Sequence, residues 1–210
     1  MIKSLARDLA SSLGYEITRK PAGDDNRLRG VRPSGHATYF ESEDWFHGLY
    51  ERAQGKTQMA SSDNRLRRQR HYTLNHLVRN ALTRAKGDVC EIGCWRGLSA
   101  YQLAQRVKDS GNGVTLHVFD SFEGLSEYQP EDMPHDQELD VERVRAMVAC
   151  PESQVQENLK EFDFLRFYAG WVPERFHEVA ELTFCFVHID LDLYQPIRDA
   201  FTFFYPRLAP

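Results

Sequence analysis

From residue 88 onward, short uninterrupted apolar runs alternate with stretches of helical period, and this alternation limits the fold more than any other feature of the chain. DVCEIG (88–93), VTLHVFD (114–120), LRFYAG (165–170) and LTFCFVHID (182–190) read as strands, apolar at successive positions and therefore covered on both faces. The segment after the first carries Ala100, Leu103, Ala104 and Val107 at helical spacing and is stopped by Gly111 and Gly113. PESQVQENLKEF (151–162) starts a helix with proline at its first position, and QPIRDAFTFFYPRL places Ile197, Ala200, Phe201 and Phe204 on one face. Strands separated by helices imply an α/β fold: a parallel sheet with helices on both faces. Four strands are counted, so the sheet reads as lacking C-terminal strands.

Upstream, SEDWFHGLYERA (42–53) has Trp45, Phe46 and Leu49 on one side of a helix. NRLRRQRHYTLNHLVRNALTRA (64–85) reads as a second helix whose stripe is Tyr72, Leu74, Leu77, Val78, Ala81 and Leu82. Its cluster Arg65, Arg67, Arg68 and Arg70 reads as a solvated face. Ile2, Leu5, Leu9 and Leu13 suggest a short amphipathic helix at the N-terminus, and the Gly- and Pro-containing stretch 20–38 an irregular arm. The division expected is a helical N-terminal extension, 1–62, and a ligand-binding α/β domain, 63–210.

Composition excludes several classes. With 41% apolar and 27% charged residues and a formal net charge of −5, the chain is an ordinary globular protein and a poor candidate for nucleic acid. No apolar run nears the roughly 20 residues that span a bilayer, so no membrane partner is expected. Arg7 and Asp8 interrupt the place where a secretory segment needs its apolar block. Cys90, Cys94, Cys150 and Cys185 form no CxxC pair, which disfavours zinc, and a reducing cytoplasm is expected.

The strand ends carry the chemistry. Open parallel sheets bind ligands at the carboxyl ends of their strands. The first turn there, Glu91-Ile-Gly93-Cys-Trp95-Arg-Gly97-Leu98, has Trp95 and Leu98 where a dinucleotide fingerprint needs glycine, and no Gly-Lys-Ser/Thr of a P-loop follows. NAD and ATP are disfavoured. Gly93 and Gly97 with Ser99 leave a helix N-terminus suited to a carboxylate. Asp120 ends the second strand, where it can accept from both hydroxyls of a ribose, and Glu91 can reach an ammonium. Carboxylate, ammonium and ribose together describe S-adenosylmethionine. In VHIDLDLY (187–194), His188, Asp190 and Asp192 project to one side of an extended strand, with Phe184 and Phe186 deeper on that side. Unpaired carboxylates are costly to bury, so these aspartates face a cation, a hydroxyl or an ammonium. Asp192 or His135 can accept a proton; His135 reads more readily as a solvated loop residue, and His188 as a hydrogen-bonded core histidine. Residues 123–142 hold eight acidic side chains and neither lysine nor arginine, a solvated loop or an acidic lid that would discourage polyanions. Trp171 lines the pocket or packs beneath it.

VCEIGCWRGLSAYQLA, HVFDSFEGL, YAGWVPERF and FVHIDLDLYQPIRDAFTFFYPRL, in this order, resemble the macrocin O-methyltransferase family of class I S-adenosylmethionine-dependent enzymes, over roughly residues 64–210. The resemblance implies a Rossmann-like methyltransferase fold and methylation of a hydroxyl on a sugar or sugar-containing small molecule. It implies cofactor contacts at the glycine turn, Asp120, Ser121 and near Asp190, magnesium held by Asp190, and Asp192 as base. In the family the remaining metal ligands are an acidic pair on the next strand, beyond Pro210. A homo-oligomer is implied as well. Two other readings compete: a non-catalytic binding or scaffold protein on the same fold, and a magnesium-dependent hydrolase using Asp190 and Asp192.

Overall fold

The computed structural model describes residues 15–17, 31–33, 43–59, 63–133 and 140–210. Two short strands, β1 (Tyr15–Ile17) and β2 (Val31–Pro33), pair antiparallel. Val31–Pro33 falls within the expected irregular arm; Ile2, Leu5, Leu9 and Leu13, on which the amphipathic helix was expected, lie outside the described residues. Helices α1 (Asp44–Thr57) and α2 (Arg65–Arg84) follow. The Asn64 side chain starts α2 by accepting from Arg67 N at 2.9 Å.

The main sheet comprises β3 (Asp88–Ile92), β4 (Leu116–Asp120), β5 (Leu165–Ala169) and β6 (Phe184–Ile189), all parallel, in the order β5-β4-β3-β6. The chain lays β4 and β5 successively to one side of β3, then returns to place β6 on the other. Strand order thus reverses between β3 and β6, and the crevice beyond their carboxyl ends is where such sheets bind ligands. Helix α3 (Leu98–Ser110) follows β3, α4 (Val141–Met147) and α5 (Glu152–Leu159) lie between β4 and β5, and α6 (Tyr194–Phe204) follows β6.

Side-chain alternation sorts the core into two layers. Val89, Leu116 and Val118 join α1, α2, α3 and α5 in one buried cluster, in which Ala100, Leu103, Ala104 and Val107 of α3 all take part, as their spacing requires. Cys90, Ile92, Phe119 and Phe184 face the opposite way, against Phe176, Ala200 and Phe204. Phe46, Leu49, Tyr50 and Ala53 of α1 are fully buried in the first layer.

Three stripes differ from expectation for identifiable reasons. On α2 the buried positions are His71, Tyr72, Leu74, Asn75, Val78 and Leu82, so the inward face takes two polar residues while Leu77 is 53% exposed. On α6, Ala200 and Phe204 meet the sheet, but Ile197 and Phe201 are exposed. In β6, Asp88 pairs with Phe184 and Val89 with Phe186, leaving Cys185 as the extra residue of a bulge. The bulge shifts Phe186 to the α2 side while Phe184 stays with α6, so the two do not share a face.

Candidate functional site

The crevice is built by the turn from β3 into α3. Asp190 N donates to Ile92 O at 2.9 Å, and this keeps the chain leaving β6 beside β3 as both strands end. Gly93 lies directly against it: φ is +85°, and a Cβ there would sit 2.4 Å from the Asp190 carbonyl oxygen. Both facts demand glycine. Gly97 has another reason to be small. It caps α3 with φ +89°, and a Cβ would press on Leu159 and Val155 of α5 at 3.4 Å, so it serves helix packing and does not line the cavity described below.

Asp120, at the end of β4, holds this turn together. Its Oδ2 accepts from Cys94 N at 2.7 Å and Trp95 N at 3.0 Å, and its Oδ1 accepts from Phe122 N at 2.8 Å. A carboxylate has roughly four acceptor positions. Three are occupied by backbone, which leaves one on Oδ1 and corrects the expectation that Asp120 is free to accept from both hydroxyls of a ribose. The bonds also hold Trp95 at a φ of +50°, a conformation non-glycine residues seldom adopt. The Ser121 hydroxyl closes the next turn, donating to Gly124 O at 2.7 Å and accepting from Glu123 N at 3.2 Å.

A cavity of about 360 Å³ opens over these residues. Gly93, Ser99, Asp120, Ser121, Asp190 and Asp192, all expected at the site, line it together. Trp171 lines it too. Glu91 does not: it is fully buried in the sheet, with Oε1 3.1 Å from His188 Nδ1. Burial raises the Glu91 pKa, against the pull of His188 and the Ser99 hydroxyl. Burial alone would lower that of His188, but the hydrogen bond and charge of Glu91 outweigh it and the shift is upward. Both shifts are upward; Glu91 Oε1 is engaged by His188, while the buried Oε2 has no hydrogen-bond partner among the described residues. His188 is hydrogen-bonded, as read, but half-buried rather than in the core. His135 lies outside the described residues.

Asp192 is solvent-accessible because the cavity is open, yet protein surrounds it closely enough for burial to raise its pKa, with Asp190 adding repulsion and Arg70 opposing both. The strand stops at Ile189, so the two aspartates reach the cavity from the loop before α6.

Part of the lining was not anticipated. Met59, Arg67, Arg70 and His71 line the cavity from α2 and the segment before it, so part of the basic cluster read as a solvated face belongs to the site. Arg68 instead pairs with Asp63 at 2.6 Å and sits over the Tyr50 ring. No periodicity distinguishes an arginine that meets a cavity from one that meets water. His71 did leave a trace: it falls on the inward stripe of α2.

A second hollow of about 680 Å³ continues from the first, sharing Ser126, Trp171, Val172 and Pro196 with it. Glu127, Glu131 and Asp132 of the acidic segment line it, and Asp132 Oδ1 accepts from Tyr194 N at 2.7 Å, tying that segment to the N-terminus of α6.

The magnesium expected at Asp190 finds no support among the described residues. Among the described residues no group of three or more His, Cys, Asp or Glu side chains is placed to hold a metal ion. Among the described residues no helix is long and apolar enough to cross a membrane.

Known proteins give this geometry its context. Residues 34–210 match the macrocin-O-methyltransferase (TylF) family model. Over 153 residues, 65% of this chain and 57% of the relative, the sequence is 31% identical to mycinamicin III 3''-O-methyltransferase of Micromonospora griseorubida. It is 30% identical over 129 residues to the 8-demethyl-8-(2,3-dimethoxy-alpha-L-rhamnosyl)-tetracenomycin-C 4'-O-methyltransferase of Streptomyces olivaceus, covering 59% of this chain and 49% of that protein. The chain thus spans about half the length of the curated relatives it matches. The solved structure of the O-methyltransferase NovP superposes with a TM-score of 0.56 at 25% identity, over 67% of this chain and 60% of the other. The glycine turn, the acid-ended strands and a match covering most of the sequence agree, and the chain belongs to the macrocin-O-methyltransferase family.

Proposed function

We propose that this chain is an S-adenosylmethionine-dependent O-methyltransferase acting on a hydroxyl of a sugar-containing small molecule. The observation that carries the reading is the meeting of Gly93, Ser99, Asp120 and Asp190 in one cavity at the switch point of the sheet. The residues fit the cofactor. Gly93 lets a ligand approach the backbone, the N-terminus of α3 and the arginines of α2 suit a carboxylate, and Asp190 suits an ammonium. Asp120 keeps one acceptor position for a ribose hydroxyl. Bound S-adenosylmethionine supplies an electrophilic methyl carbon and retains the electrons of the breaking sulfur–carbon bond.

The chain's own work is placement and proton removal. The hollow beyond Trp171 holds the acceptor, with the indole as an apolar platform for a sugar ring and the acidic rim accepting from its hydroxyls. The sugar oxygen attacks as its proton passes to an Asp192 carboxylate oxygen. Arg70 helps here, since its charge partly counters the burial and the Asp190 repulsion that raise the Asp192 pKa. Fixing both partners in one cavity makes the attack effectively unimolecular. The relatives named for mycinamicin and a rhamnosyl-tetracenomycin support an acceptor of this kind.

Calorimetry with S-adenosylhomocysteine tests the reading. Binding is expected without added metal, and methyl transfer to glycosylated acceptors should lose its rate, with product-nucleoside affinity retained, in Asp192→Asn. A wild-type chain that does not bind S-adenosylhomocysteine would refute the proposal.

A further inference from the structure

His71 is held by a network in which each hydrogen-bond direction is forced by the one before. Arg106 Nε can only donate, and it lies 2.9 Å from Asn75 Oδ1, so that atom is the acceptor of the amide. Asn75 Nδ2 therefore donates, to Gln102 Oε1 at 2.9 Å and to the His71 carbonyl at 2.8 Å. Gln102 Nε2 must then be its donor, and it reaches the Leu98 carbonyl at 2.9 Å and His71 Nδ1 at 2.9 Å. The two backbone carbonyls, which can only accept, confirm both amide orientations independently. His71 Nδ1 is consequently an acceptor, and the ring proton resides on Nε2, across the ring from Gln102. Asn75 and Gln102 are each 1% exposed, so water does not compete for these bonds.

We infer that His71 is a neutral, fixed hydrogen-bond donor, its Nε2–H presented to a carboxylate bound in the cavity beside the N-terminus of α3. His71 lines that cavity, and Gln102 anchors it over the first turn of α3 through Leu98. The free N–H groups of that turn and the Arg67 and Arg70 side chains on the same wall favour negative charge. Burial first, then the charges of Arg70, His188 and Arg67, lower the His71 pKa to about 3, so the ring stays neutral at physiological pH and keeps its single donor. A neutral donor among arginines adds direction where the cations supply only charge. The inference rests on the proposed cofactor for the source of the carboxylate; the network and the tautomer do not depend on it.

Long-range ¹H–¹⁵N correlation spectra of the wild-type chain should show the Nε2–H tautomer of His71. Calorimetry then compares S-adenosylhomocysteine with 5'-methylthioadenosine, which lacks the amino-acid end. His71→Phe keeps a ring but no donor and should weaken S-adenosylhomocysteine by roughly tenfold or more, the usual loss of a bond to a charged group, while 5'-methylthioadenosine binds as before. Gln102→Leu, which removes the donor that His71 Nδ1 accepts from, should give a mixture of His71 tautomers and a smaller loss confined to S-adenosylhomocysteine. An Nδ1–H tautomer in the wild type, or full S-adenosylhomocysteine affinity in a folded His71→Phe chain, would overturn the assignment and leave the cofactor reading intact. Failure of both nucleosides to bind the wild type would overturn the cofactor reading and the carboxylate with it.

Discussion

Burying a neutral histidine has a consequence for stability that can be worked through. The unfolded chain titrates His71 near 6.5, whereas the folded chain does so at about 3, because burial and the nearby charges of Arg70, His188 and Arg67 disfavour the imidazolium. Below pH 6.5 the unfolded state takes up a proton at this site that the folded state refuses. Stability from this group is therefore complete above 6.5 and declines as pH falls from 6.5 towards 3. At pH 5.5 the loss is one pH unit's worth, about 1.4 kcal/mol. A chain of this size loses about 2–4 °C in Tm per kcal/mol, so the share of His71 between pH 7.5 and 5.5 is about 3–6 °C. His71→Gln removes the titration. Thermal unfolding followed by circular dichroism at pH 7.5, 6.5 and 5.5 should show the wild type approaching the variant, or falling below it, by that amount as pH is lowered. The other histidines are common to both chains and cancel in the difference. Parallel Tm profiles across this range would refute the argument, since they would mean His71 is protonated equally in both states.

Three further outcomes follow from the site. Gly93→Ala should lower stability by about 2–4 kcal/mol and abolish S-adenosylhomocysteine binding, because its Cβ would meet the Asp190 carbonyl oxygen at 2.4 Å; denaturant unfolding and calorimetry check the two effects. Asp120→Asn must set an amide nitrogen against backbone N–H groups that now share a carboxylate, costing about 1–3 kcal/mol in urea unfolding, with weaker nucleoside binding as the β3–α3 turn loosens. Asp192→Asn should reduce methyl transfer by about 10²–10⁴-fold and leave Tm within a degree or two, which a pH–rate profile of both chains would separate from a binding defect.

Much of this fold is legible in the sequence because period and burial coincide. Ala100, Leu103, Ala104 and Val107 repeat at helical spacing and are buried, and the four apolar runs are the four strands of the parallel sheet. Legibility fails where one residue shifts a pattern or where polarity is buried on purpose. The bulge at Cys185 reverses which face Phe186 meets, a change that alternation alone cannot reveal. Leu77 resembles core by composition, but α2 turns His71 and Asn75 inward instead, since Gln102 and Arg106 offer them partners. The aspartates that follow β6 stood out because an apolar run ended in charge. Arg67 and Arg70 did not, because a basic cluster on a helix carries no mark of what it faces.

The acidic residues also divide in a way that bears on what the cavity can hold. Glu91 and Asp120, each placed on a strand end by its spacing, are largely committed to the protein: one to His188, the other to three backbone N–H groups. What remains for a ligand is a lining that carries both Asp190 and Asp192 and, from α2, Arg67, Arg70 and His71. A polyphosphate would set its like charges against Asp190 and Asp192, at a cost that grows in a partly enclosed space. A simple cation would face two guanidinium groups. A zwitterion suffers neither penalty, because its ammonium can meet the aspartates and its carboxylate the arginines and His71. The amino-acid end of S-adenosylmethionine is such a group. The same division explains why acidic strand ends alone identify the site poorly: Asp120 builds the turn and Glu91 meets His188, while Asp190 and Asp192 line the cavity.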